Sequence, residues 1–207
     1  YIKYILYLLF LFLIYKNNNY IHKILLYLMG FKIDINKLNR LPSKVILIST
    51  HTSVYDFFIG IFLYYGYLHH KYDNYILMKK YFEKYTNPFF YVIDKKLRLI
   101  KVEKEKNGLI NKILDQIKYK DNYLIYLSPE GTRSYIERLR TGYWVIAKEL
   151  NLDVCFVGVD FYNKSITFED CRKVENYWDD EELKFKKSAS KYPPLFPENC
   201  HFYRKEK

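Results

Sequence analysis

Residues 44–58 read KVILISTHTSVYDFF, and the reading of this stretch decides the fold. VILI at 45–48 is a short apolar run rich in β-branched side chains, the pattern of a strand buried on both faces. The chain then turns polar at Ser49–Ser53. It becomes apolar again in SVYDFFIGIFLYYGYL (53–68), too long for a strand and therefore a helix. A buried strand that passes through a short polar turn into a helix opens a βα unit.

His51 and Asp56 stand at that turn, and two readings of them compete. Ser53 followed three residues later by Asp56 matches a capping box, in which the carboxylate satisfies a free backbone N–H. Alternatively, the first helical turn brings Asp56 back to one imidazole nitrogen of His51. That contact fixes the tautomer and raises basicity, leaving the other nitrogen to take a hydroxyl proton. The free N–H groups of the helix start and its dipole would then be placed to hold an oxyanion. The stretch alone leaves both open.

The alternation continues outward. NYILM (74–78), LRLIKV (97–102), YLIYLS (123–128) and DVCFVGVDF (153–161) read as strands. Between them, NPFFYVI (87–93) reads as a short helix and TGYWVIAKEL (141–150) as a longer one. GLINKILDQIKY (108–119) is an amphipathic helix with Leu109, Ile110, Ile113, Leu114 and Ile117 on one face. This predicts an α/β layered domain with a largely parallel central sheet flanked by helices. Past residue 162 the pattern weakens to one strand-like SITF, a solvated helix at WDDEEL and an irregular PPLFPEN. With 207 residues, no repeat and no low-complexity linker, one domain over 32–207 is expected, its motif-bearing core at 44–162.

The N-terminal 31 residues have another character. Tyr4–Tyr15 runs 12 residues without a charge, and ILLYLMGF (24–31) follows a polar KNNNY. The first is shorter than the ~20 residues of a spanning helix. The pair reads as a short anchor followed by an interfacial helix with tyrosines at head-group level. Lys16, Lys23, Lys32, Lys37, Arg40 and Lys44 all follow the anchor, so the rest of the chain is expected to face the cytosol.

A second strand end carries Ser128-Pro129-Glu130-Gly131-Thr132-Arg133-Ser134. Pro-Glu-Gly-Thr is turn chemistry with Gly131 at positive φ, but a turn needs neither Glu130 nor Arg133. Arginine is scarce here, 7 against 27 lysines, and Arg133, Arg138 and Arg140 fall within eight residues. An Arg beside exposed N–H groups suits a phosphate monoester. Glu130 would hold that Arg or bond a substrate hydroxyl. In α/β sheets ligands gather at the carboxyl ends of strands, where both stretches sit.

The net charge of +11 favours anionic partners, although the Lys-, Tyr-, Ile- and Asn-rich composition reads partly as codon bias. Basic residues are spread along the chain and no nucleic-acid module is present, so no nucleic-acid partner is expected. Cys155, Cys171 and Cys200 are far apart in sequence without metal-ligand spacing, pointing to reduced thiols and no metal site. Cys155, inside VCFV, reads as core filler.

HTSVYD, an H-x4-D block, and SPEGTRS, each after a strand and about 75 residues apart, resemble the glycerolipid acyltransferases of the lysophosphatidic acid acyltransferase (PlsC-like) family. The resemblance implies acyl transfer from acyl-CoA or acyl-carrier protein to lysophosphatidic acid at a membrane surface with anionic lipids, with no cofactor and no metal. His51 would be the general base and Asp56 its partner, while Glu130, Gly131, Thr132 and Arg133 would bind the acceptor's glycerol phosphate. The family's second block, similar to Gly-Ile-Pro-Val-Asp-Arg, corresponds to LIKVEK (99–104), where Lys104 keeps the charge of Arg without its bidentate fork. FVGVDF (156–161) lacks the family's strand-end Pro. Glycerol 3-phosphate or another lysophospholipid is an alternative acceptor, and a catalytically silent lipid-binding module an alternative function.

Overall fold

The computed structural model describes residues 19–79, 98–102 and 108–200. In chain order these form α1 (Asn19–Leu28), β1 (Lys32–Ile33), α2 (Ile35–Asn39), β2 (Lys44–Ile48), α3 (Val54–Leu63) with a π-helical extension (Tyr64–Leu68), and β3 (Asp73–Lys79). There follow β4 (Leu99–Val102), α4 (Leu109–Ile117), β5 (Tyr123–Leu127), α5 (Gly142–Glu149), β6 (Asp153–Asp160), β7 (Ser165–Phe168) and α6 (Trp178–Ala189). The predicted anchor at 4–15, the NPFFYVI helix and Lys104 lie outside the described residues.

The fold is mixed α/β. Its sheet runs β1-β7-β6-β2-β5-β3-β4, every pairing parallel except β6 with β7. The outermost strand, β1, is only two residues long. β2 lies between β5 and β6, and its Val45–Ile48 are all buried. Their side chains alternate between two cores. Val45 and Leu47 pack with α1 and α3, whereas Ile46 and Ile48 pack with α4, α5 and α6. Helices on both faces explain why the central strands read as apolar runs rather than alternating ones.

Three expectations need correction. The N-terminal helix spans Asn19–Leu28, ahead of the predicted 24–31; Gly30 at φ 83° ends it and Phe31 joins the core. On α4, Ile113 and Ile117 are buried but Leu114 is exposed, because the sheet covers a narrower stripe than five residues. WDDEEL does start a helix, α6, yet it is not solvated throughout: Glu181 is fully buried. Arg172 grips it bidentately at 2.8 and 3.1 Å, and the Tyr143 hydroxyl and Glu175 N–H donate to it at 3.0 and 2.9 Å. A buried carboxylate costs several kcal/mol unless so paired, and the periodicity of a helix does not announce a partner 9 residues upstream.

Candidate active site

The parallel register of β2 with β5 sets the site. Lys44 pairs with Tyr123 and Ile48 with Leu127, a constant offset. Carried three residues past each strand, that offset sets His51 beside Glu130. The contact is made: the His51 backbone N–H donates to Glu130 Oε2 at 2.6 Å. The two sequence stretches thus meet because their strands are neighbours in register.

One oxygen of Asp56 completes the cap and also faces His51. Its Oδ2 accepts the Thr52 and Ser53 N–H groups at 2.8 and 2.7 Å, while Ser53 Oγ accepts the Asp56 N–H at 3.3 Å, a complete capping box. The same oxygen lies 3.4 Å from His51 Nδ1. That is longer than a normal hydrogen bond. Asp56 is 8% exposed and the His51 side chain 30%, so the imidazole reaches solvent over a buried carboxylate. The oxyanion expectation is revised. Three N–H groups of the helix start are turned inward to the capping box, and those of Val54 and Tyr55 remain as the first helical donors.

Glu130 is 4% exposed and does not hold Arg133. Its carboxylate takes the His51 N–H and, at 3.4 Å, the Ser128 hydroxyl. Burial raises its pKa to about 7, against the lowering effects of the His51 N–H, the His51 charge and Ser128. Gly131 takes φ +60° as the turn reading requires, with its N–H on Ser128 O. A Cβ there would stand 2.7 Å from Arg140 Nε, so Arg140 lies directly over this turn. Thr132 is half-buried, and its hydroxyl accepts the Ser134 N–H at 3.3 Å. Arg133 is exposed and has no partner among the described residues.

The weakly patterned C-terminal part supports the site. Glu182 of α6 accepts the Leu139 N–H at 3.3 Å, and Pro129 O accepts that of Arg140, pinning the loop after Gly131 at its far end. Asn199 Nδ2 donates to Thr52 O at 3.3 Å. Neither contact has a sequence signature beyond the residue types. Behind the dyad, the Tyr126 hydroxyl and Ser49 Oγ are 2.5 Å apart, and desolvation pushes the Tyr126 phenol up to about 12. Tyr126, Ser49, Asn74 and Asp56 share the wall of an otherwise apolar cavity of about 60 Å³ under α3. Among the described residues no His/Cys/Asp/Glu group has the makings of a metal site.

α1 presents its second face outward. Tyr20, Ile24, Tyr27 and Leu28 fall at helical spacing and are exposed, Tyr27 at 78% and Leu28 at 73%. The opposite face, with His22 and Leu26, is buried on α3 and its extension. Gly66 of the extension faces Lys23 of α1, where a Cβ would stand in ordinary van der Waals contact, 3.4 Å from Lys23 Cγ and 3.5 Å from its backbone N. Among the described residues no helix is long and apolar enough to cross a membrane.

A family model described as acyltransferase matches residues 32–160. No curated protein matches the chain.

Proposed function

The chain belongs to the acyltransferase family, and from that premise we propose that it transfers a fatty acyl group from acyl-CoA or acyl-carrier protein to the free hydroxyl of lysophosphatidic acid, giving phosphatidic acid. The observation that carries this reading is the junction of the two strand ends. A solvent-reaching His51 is faced by Asp56 and tied through its backbone to Glu130, beside Gly131, Thr132 and Arg133.

In this mechanism His51 Nε2 takes the acceptor's hydroxyl proton as its oxygen attacks the thioester carbonyl. Asp56, through Nδ1, stabilises the imidazolium that forms. The tetrahedral intermediate collapses by expelling the thiolate, which recovers the proton from His51. The N–H groups of Val54 and Tyr55, at the positive end of α3, support the transient oxyanion. Arg133 takes the acceptor's phosphate, with Lys104 as a second cation.

The test is transfer of radiolabelled acyl groups from acyl-CoA to lysophosphatidic acid, glycerol 3-phosphate, dihydroxyacetone phosphate and a phosphate-free monoacylglycerol. Arg133→Ala should raise KM for the phosphate-bearing acceptors about 10- to 100-fold, the worth of a charge-assisted contact. An equal loss with the monoacylglycerol would remove Arg133 from phosphate binding, and no transfer to any acceptor would overturn the reading.

The exposed aromatic and aliphatic face of α1, with Lys23, Lys32, Lys37 and Arg40 following, suits the head-group layer of an anionic membrane. In this reading α1 lies in the interface, and the catalytic domain faces the cytosol. Tyr27→Asp with Leu28→Asp should lower co-sedimentation with vesicles containing anionic lipid at least tenfold, since two large side chains leave the apolar layer. Undiminished binding would assign membrane contact elsewhere.

A further inference from the structure

Beyond the acyl-transfer site, two thiols meet beside β6, where Cys155 stands in register with Leu47 of β2. After β7 the chain runs back along β6, and Val154 and Arg172 exchange both backbone hydrogen bonds, at 2.8 and 3.0 Å. In an antiparallel ladder the pair next to a doubly bonded one is the narrow, non-hydrogen-bonded pair, with Cα atoms about 4.5 Å apart. That next pair is Cys155 and Cys171. The register slips by one at this point: between the Val154 and Phe156 contacts β6 has only Cys155, where the returning strand has both Asp170 and Cys171, a β-bulge. Both cysteines pack into the α1/α3 core, on the same face of the sheet. A disulfide needs Cα atoms roughly 4.4–6.8 Å apart, a range that opens at the spacing of a narrow antiparallel pair.

The two thiols differ in access. Cys155 is fully buried, with its sulfur 3.0 Å from Glu169 O. Cys171 is half-buried and lines an opening of about 330 Å³ with Lys37, Arg40, Asp153, Glu169 and Asp170. A hydrogen bond from the Cys155 thiol lowers the Cys171 pKa, against desolvation and the Asp153 and Asp170 charges; the same contact raises that of Cys155. The accessible sulfur is therefore also the better source of thiolate.

We infer that Cys155 and Cys171 form a cross-strand dithiol, a modification site that closes to an intramolecular disulfide when a small disulfide such as glutathione disulfide reaches Cys171. The Cys171 thiolate attacks one glutathione sulfur and releases the first glutathione as thiolate. Cys155 then gives its proton to solvent and attacks Cys171 Sγ, breaking the mixed disulfide and releasing the second glutathione. One glutathione disulfide is reduced to two glutathiones as two protein thiols are oxidised.

The experiment incubates the full chain with glutathione disulfide, alkylates the remaining thiols and maps the peptides by mass spectrometry. Expected is loss of two of the three thiols without a retained glutathione, with a Cys155–Cys171 crosslink that a reductant reverses. Cys155→Ala, which removes the resolving thiol, should leave glutathione on Cys171, and Cys171→Ser should leave Cys155 unmodified. A stable glutathione adduct on the wild-type protein, a crosslink to Cys200, or no thiol consumed would each overturn the inference. Should Cys155→Ala not fold, the wild-type and Cys171→Ser maps decide it.

Discussion

Replacing His51 by alanine is expected to lower the turnover of acyl transfer by about 10³-fold, within the range a general base contributes. The fold should survive the change. The imidazole reaches solvent, and the bond that ties β2 to the Glu130 turn uses the His51 backbone, which alanine retains. Turnover is measured with radiolabelled acyl-CoA and lysophosphatidic acid, with circular dichroism confirming that the variant is folded. Activity within tenfold of wild type would remove His51 from the chemistry.

Asp56 sharpens this prediction because one oxygen serves two tasks. Asparagine can place its own oxygen where Oδ2 accepts the Thr52 and Ser53 N–H groups, so Asp56→Asn keeps the cap and loses only the charge facing His51. Turnover should fall about 10²-fold with little change in melting temperature. Asp56→Ala removes the cap as well and should cost a further 0.5–2 kcal/mol or so of stability. Unchanged turnover in Asp56→Asn would leave Asp56 as a cap and nothing more.

The elements that could be read from the sequence were those whose pattern depends on burial against a sheet. VILI, YLIYL and VCFV are buried on both faces, and that environment imposes the apolar run directly. His51 and Asp56 were legible as a pair because a helix start fixes local geometry within five residues. What could not be read depends on strand order. Nothing in the sequence says that β2 and β5 are neighbours, so it offers Glu130 either Arg133, three residues away, or a substrate hydroxyl, and not His51 across the sheet. The same holds for Glu181 with Arg172, for Cys155 with Cys171, and for Asn199 with Thr52. Each is a contact between segments that local periodicity treats separately.

Glu130 gives the second large effect, and its sign follows from burial. In the folded protein its pKa is raised from 4.5 to about 7, so the native state binds its proton more tightly than the unfolded chain. The unfolded state therefore binds fewer protons between these values, and stability falls as pH rises from about 4.5 to about 7. Below that window both states are protonated and the cost vanishes; above it the full cost stands, on the order of 3 kcal/mol. Glu130→Gln removes the titration, and its amide oxygen can still accept the His51 N–H. Urea unfolding should show a flatter stability profile over pH 5–7 than wild type, and a variant more stable than wild type at pH 7.5. Kinetics then separate two roles. If Glu130 positions His51, the variant should lose about tenfold in kcat, through loss of the charge beside the imidazole, with KM for lysophosphatidic acid unchanged. If Glu130 instead bonds the acceptor, KM should rise with kcat preserved. A parallel stability profile in the two proteins would place the pH dependence on other groups and undo the assignment of a near-neutral carboxyl at this turn.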